Sequence, residues 1–225
     1  MKRLFHWLLD PHGRTARLAL GEKAQSVDFV ESPPWAQHKE VSRVGPGARG
    51  PMLVDTDGTA GRVVALGTHA IIEHIEETVR EARLLPINAL DRAEARRLWQ
   101  WTEESMAEVT ASLLAERVNQ AVRRTRAPDS NALRTGAHAL RSKLTILNAL
   151  AEKRPWMAGR SLSVADLSVA AHLSAFDYFG DVDWSSAPDL KTWYAKTKSR
   201  PAMRAVLADR LDGARPAAHY ADLDF

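Results

Sequence analysis

Residues 161–173 read SLSVADLSVAAHL. Ser163 stands just before an apolar run, where an N-cap belongs, and its hydroxyl can take up a free backbone N–H of the first turn. Asp166 follows three residues later and can bond back, closing a capping box with Asp in the place of Glu or Gln. Leu162 and Leu167 flank the box at the spacing of a hydrophobic staple. From Val164 to Phe176 the one formally charged side chain is Asp166. A helix that is apolar on every side is a buried one. The stretch therefore predicts the central helix of a helical domain, and an ordinary well-capped helix gives the same pattern.

The 225 residues suffice for one large domain or two small ones. No apolar run is long enough to span a bilayer, so membrane insertion is not expected. The start, MKRLFHWLLDPHGR, has a basic end and a short apolar run, but charge returns too soon for a signal peptide. With no cysteine there is no disulfide framework and no cysteine nucleophile, and the cytoplasm is the expected compartment. A net charge of +3 gives no argument for nucleic acid.

Before the capped helix, strands are expected at residues 3–9, 27–31, 51–54 and 63–66, with helices at 14–23 and 68–80. Gly45-Pro46-Gly47 marks a loop and Asp57-Gly58 a hairpin turn. This β-α-β-α-β-β-α order describes a mixed sheet with helices packed on it, over residues 1–82. A helical domain follows over 88–210. It comprises an unbroken helix from Asp91 to Arg126, a second from Leu133 to Lys153, the capped helix, and short helices at 190–199 and 201–210. Residues 211–225 form an extended, non-helical tail. His69 and His74 are five apart, the wrong spacing for one helix face, and no metal site is expected. Arg117, Arg123, Arg124 and Arg126 read as a solvated face.

Pro11 with Arg-Leu-Ala-Leu-Gly-Glu-Lys at 17–23, Pro51-Met52-Leu53-Val54, Ala-Ile-Ile-Glu-His-Ile at 70–75, Leu84-Leu85-Pro86, the capped helix, and Trp193 to Pro201 occur together in this order. In order and spacing the chain resembles the glutathione S-transferases over nearly all of its length. The resemblance implies a thioredoxin-like α/β domain followed by an all-α domain, and a homodimer. It makes Pro51 the cis-proline beside the thiol-peptide site and Ser163/Asp166 the folding signature of the helical domain.

That family lowers the pKa of the glutathione thiol with a hydroxyl donor, or uses a cysteine. The matching position here is Asp10, where a carboxylate would repel a thiolate and raise its pKa. Asp10 also reads simply as a turn or cap residue before Pro11. Thr15 is the nearest hydroxyl, and Arg14 or His12 could supply positive charge. Where the family grips the peptide's amino end and carboxylate, this chain has Gly67-Thr68. Thr68 keeps a hydroxyl at a helix start, where anions bind. Gly67 lacks the acidic grip. A pseudo-enzyme without catalytic residues or cofactor is expected, with a glutathione-dependent transferase acting on small electrophiles as the alternative.

The tail keeps Tyr220, Leu223 and Phe225 among Asp222 and Asp224. Such an end can dock on its own domain or present itself to a partner. Trp35, behind Pro33-Pro34, can be core or an exposed anchor. With the altered Asp10 region, these features resemble a bacterial cell-division branch of the family. That resemblance implies a non-catalytic adaptor recruited to the division site, which binds FtsZ filaments, stabilises or curves them and promotes constriction. Its contact surface would fall on Trp35, Tyr220, Asp222, Leu223, Asp224 and Phe225.

Overall fold

A computed structural model describes residues 1–57, 61–223 and 225. Gly58 of the expected hairpin turn lies outside the described residues. Strand β1 (Lys2–His6) sits between parallel β2 (Val27–Glu31) and antiparallel β3 (Met52–Asp55), and β4 (Val63–Leu66) pairs antiparallel with β3. Leu4 lies opposite Leu53, and Phe5 opposite Met52. Because side chains alternate across a sheet, these pairs face different cores. Leu4 and Leu53 join the main core with Ile71 and Ile75, while Phe5, Met52 and Val54 meet Val41. The covering helices are α1 (Pro11–Glu22), the short α2 (Lys39–Ser42), and α3 (Thr68–Thr78).

The helical half comprises α4 (Ala89–Val109), α5 (Ala115–Val118), α6 (Ser130–Lys153), α7 (Val164–Asp177), α8 (Pro188–Lys198) and α9 (Pro201–Leu207). Every residue of α7 is buried, and α7 packs on α1 of the sheet domain and α4 of its own. The capping box at its start is present. Asp166 Oδ2 accepts the Ser163 N–H at 2.9 Å and the Ser163 hydroxyl at 3.0 Å. Asp166 Oδ1 accepts the Met157 N–H at 2.7 Å and the Trp193 indole N–H at 3.2 Å. This buried carboxyl thus ties α7 to α8 and to the loop before it.

Several boundaries differ from the sequence reading. The first strand ends at His6 rather than Leu9, because the Asp10 N–H bonds back to Trp7 C=O at 3.1 Å and turns the chain. Helix α1 then starts at Pro11, three residues early, under an Asp10 cap. Asn88 caps α4 ahead of Asp91, and Asp129 caps α6 at Ser130. The predicted unbroken helix contains two π-helical turns, Thr110–Leu114 and Asn119–Arg123, flanking α5. Gly136 of α6 meets the first of these turns so closely that a Cβ there would lie 2.6 Å from Leu113 Cβ. The Gly50–Pro51 peptide bond is cis.

Buried charges join the halves. Arg14 and Arg17 on α1 both reach Asp209, just beyond α9, at 3.2 and 2.7 Å. Lys23 pairs with Glu76 at 2.7 Å, and Glu76 accepts the N–H groups of Leu84 and Leu85 where the chain leaves the first domain.

Candidate functional site

At the β1–α1 corner, Asp10 Oδ1 accepts the His12 N–H at 3.2 Å and Oδ2 the Gly13 N–H at 3.0 Å. Both oxygens serve as a helix cap, satisfying donors that the first turn would leave open. Burial pushes the Asp10 carboxyl up against the pull of His12 and those N–H groups. The helpers weighed from sequence are mostly committed elsewhere. Arg14 is fully buried, bonded to Leu8 C=O and Ser174 besides Asp209. The Thr15 hydroxyl donates to Pro11 C=O at 2.9 Å.

His12 remains. Its Nδ1 lies 2.5 Å from Glu103 Oε2 on α4, and its side chain is 42% exposed. Burial pulls its pKa down, but Glu103 and then Asp10 outweigh that and hold it at about 9. Burial likewise opposes ionisation of Glu103, yet His12 and further donors bring it to about 2. Glu103 also accepts from the Trp99 indole at 3.0 Å and the Ser168 hydroxyl at 3.2 Å. The neighbouring His172 is pushed down to about 4, chiefly by burial, and stays neutral. A protonated imidazole pinned across the domain boundary is a feature sequence reasoning named only as a source of charge.

On the other side, the Gly67 N–H donates to Pro51 C=O at 2.8 Å, and Gly67 holds φ at 85° before α3. Thr68 is buried, and its hydroxyl has no hydrogen-bond partner among the described residues. His69 stacks on Trp99 at 3.9 Å. Thr68 therefore carries an unspent hydroxyl in the first turn of α3. These residues offer no free hydroxyl at Asp10 for a thiolate.

Trp35 is neither core nor a free anchor. It is 38% exposed, its ring meets the edge of Trp7 at 4.9 Å, and Arg123 lies over it at 5.2 Å. Together these residues border a cleft of about 250 Å³ between the domains, with Asp10 and Pro11 on one wall and Leu114 and Val118 on the other. Of the arginine run, Arg123, Arg124 and Arg126 are exposed and Arg117 is half-buried. Arg117 pairs with Asp181 at 2.5 Å and Arg126 with Glu116, while Arg123 covers Trp35.

The tail docks in cis and is not extended. The Tyr178 hydroxyl donates to Ala214 C=O and accepts the Leu211 N–H, both at 2.9 Å. Tyr220 is fully buried, with its hydroxyl on Val206 C=O at 3.1 Å. It therefore anchors the tail and presents no surface to a partner. His219 Nε2 lies 2.7 Å from Asp177 Oδ1. Lys198, buried on α8, donates to the carbonyls of His219 and Asp222. Phe225 covers that ammonium at 3.8 Å and packs on Trp184 at 5.2 Å. Asp222 and Leu223 stay on the surface. Asp224 lies outside the described residues. Trp35 and the tail are thus separate features: among the described residues Trp35 meets Trp7 and Arg123, while Phe225 meets Trp184 and Lys198.

The pattern of the glutathione S-transferase N-terminal domain matches residues 4–83, and that of the C-terminal domain residues 129–210. FtsZ-localized protein A of Caulobacter vibrioides is 46% identical over 225 residues, covering 100% of this chain and 98% of that protein. The structure of FzlA from C. crescentus superposes with a TM-score of 0.93 over 100% of this chain and 99% of that one. A glutathione S-transferase structure from Rhodospirillum rubrum, 38% identical, has a TM-score of 0.93 over all of both chains. The chain therefore belongs to the glutathione S-transferase family.

Proposed function

We propose that this chain is a non-catalytic adaptor that associates with FtsZ at the division site, working as a homodimer that stabilises or curves FtsZ filaments. The observation that carries the reading is the whole-length similarity to FtsZ-localized protein A. The corner geometry supports it, because Asp10 spends both carboxylate oxygens on the start of α1 where a thiol activator would stand. Trp35, half out of its cleft, and the exposed pair Asp222 and Leu223 are the contact residues. Tyr220 and Phe225 act by holding that pair in place. The test is the affinity of surface-immobilised chain for GTP-assembled FtsZ. Trp35→Ala and Asp222→Lys should each weaken it at an unchanged melting temperature. Equal affinity in both variants would remove these residues from the surface.

A second reading, a divergent glutathione-dependent transferase, is favoured by the unpaired Thr68 hydroxyl at the start of α3 and by the protonated His12. Glutathione would be held by Thr68 and the backbone around Pro51, with His12, paired to Glu103, supplying positive charge at the corner. A thermal shift with glutathione that Thr68→Val abolishes, together with conjugation of a chlorinated aromatic, would establish that reading. No shift and no turnover would remove it.

A further inference from the structure

We propose that the cleft beside Trp35 is a slot for a short segment of a protein partner carrying one large apolar side chain next to a carboxylate. The proposal rests on the adaptor reading and supplies the chemistry by which this face takes hold.

At about 250 Å³ the cleft falls below the roughly 300–1,000 Å³ of ordinary small-molecule sites, and is sized for a single bulky side chain. Its walls are aromatic and aliphatic: Trp7, Pro34, Trp35, Leu114 and Val118. Two polar features break that lining. Thr110 is the first. A helical Ser or Thr commonly donates to the carbonyl four residues back, as Thr102 and Ser112 do here at 2.8 and 2.6 Å. Thr110 opens the first π-helical turn, and its buried hydroxyl has no partner among the described residues. Thr110 thus puts a hydroxyl with an unspent hydrogen bond into the lining of the slot.

Arg123 is the second. The other arginines of this stretch with acidic neighbours are spent, Arg117 on Asp181 and Arg126 on Glu116. Arg123 contacts the Trp35 ring and pairs with no carboxylate among the described residues. A guanidinium laid on an indole at the mouth of an apolar slot is arranged to receive a carboxylate beside a buried side chain. The turn that carries it is braced. Gly213, at φ 84°, runs so close that a Cβ there would lie 2.8 Å from Ala121 C=O in the same turn. The slot is pre-formed, so little ordering cost attends docking. The chain's own tail does not fill it, since Phe225 is seated on Trp184 and Lys198.

The test uses the full chain and two dipeptide probes, acetyl-Glu-Phe-amide and acetyl-Lys-Phe-amide, followed by the indole N–H resonances of Trp7 and Trp35. The acidic probe should shift both resonances and bind about tenfold more tightly than the basic one. Arg123→Glu should reverse that preference. Ala115→Trp, at an exposed position on the cleft wall, should abolish both responses with an unchanged melting curve. Equal response to the two probes, no response, or full binding by Ala115→Trp would overturn the slot. FtsZ binding separates the two claims. If the wild type binds FtsZ and both variants bind it as well, the slot is wrong and the adaptor reading stands. If the wild type does not bind FtsZ but the probes discriminate as described, the adaptor reading fails and the slot stands. Weaker self-association of Ala115→Trp would assign the slot to a second copy of this chain, and overturn a foreign partner.

Discussion

Asp166 shows what a single buried carboxyl can organise. It takes N–H groups from Met157, Ser163 and Trp193 together with the Ser163 hydroxyl. Removing it strands these donors in a dry interior. Asp166→Ala should cost about 3–5 kcal/mol by urea denaturation, against about 1 kcal/mol for Ser163→Ala. His12 makes a second prediction, on pH. Its folded pKa of about 9 stands above its ordinary 6.5. A raised value of this kind contributes stability that is fully present below pH 6.5 and is lost as pH rises through 9. Glu103, lowered from 4.5 to about 2, contributes above 4.5 and loses that contribution as pH falls toward 2. His12→Asn should therefore be less stable than the wild type at pH 6, by about 1 kcal/mol once solvent screening of the half-exposed ring is allowed for. The gap should close by pH 10, and a gap that persists there would contradict the pairing. Residue types alone did not disclose this pair, because His12 and Glu103 lie on α1 and α4. Only folding brings them together.

Helix boundaries divide by where their signals reside. The Ser163/Asp166 box and Pro201 at a helix start are local chemistry and are legible in the chain, whereas α8 starts at Pro188, two residues before the expected 190. Asp10 was open between a cap and a vestigial site, and the geometry makes it a cap. The π-helical turns carry no local signature. The first sits where α6 is pressed onto the long helix at Gly136 and the second where Gly213 closes on Ala121, tertiary demands that residue periodicity does not record. A Cβ at Gly136 must displace Leu113 or the backbone beside it. Gly136→Ala, although helix propensity favours it, should therefore destabilise the fold by about 1–3 kcal/mol in a thermal melt. A more stable variant would mean that the two helices part freely there.

Across the molecule, the mixed sheet and the two-domain division follow from patterns readable in sequence, whereas the coupling between the halves does not. Arg14, Arg17 and Asp209 are far apart in the chain and buried together. Asp209→Ala should cost about 3–5 kcal/mol, because it leaves guanidinium groups uncompensated, and the domains should still melt in one transition. Two separated transitions would show that the halves are held less tightly than this core implies. The tail follows the same logic. Its composition left cis docking and presentation both open, and the aromatic seats for Tyr220 on Tyr178 and for Phe225 on Trp184 and Tyr194 leave Asp222 and Leu223 outward. On the proposed adaptor reading, Trp35 and the tail carry the working surfaces, while the carboxylate at the β1–α1 corner serves as a helix cap. Co-sedimentation of the full chain with GTP-assembled FtsZ tests that claim most directly. The wild type should enter the pellet, and Trp35→Ala should stay in the supernatant at the same melting temperature. A wild type left in the supernatant, or a Trp35→Ala chain that pellets equally, would contradict it.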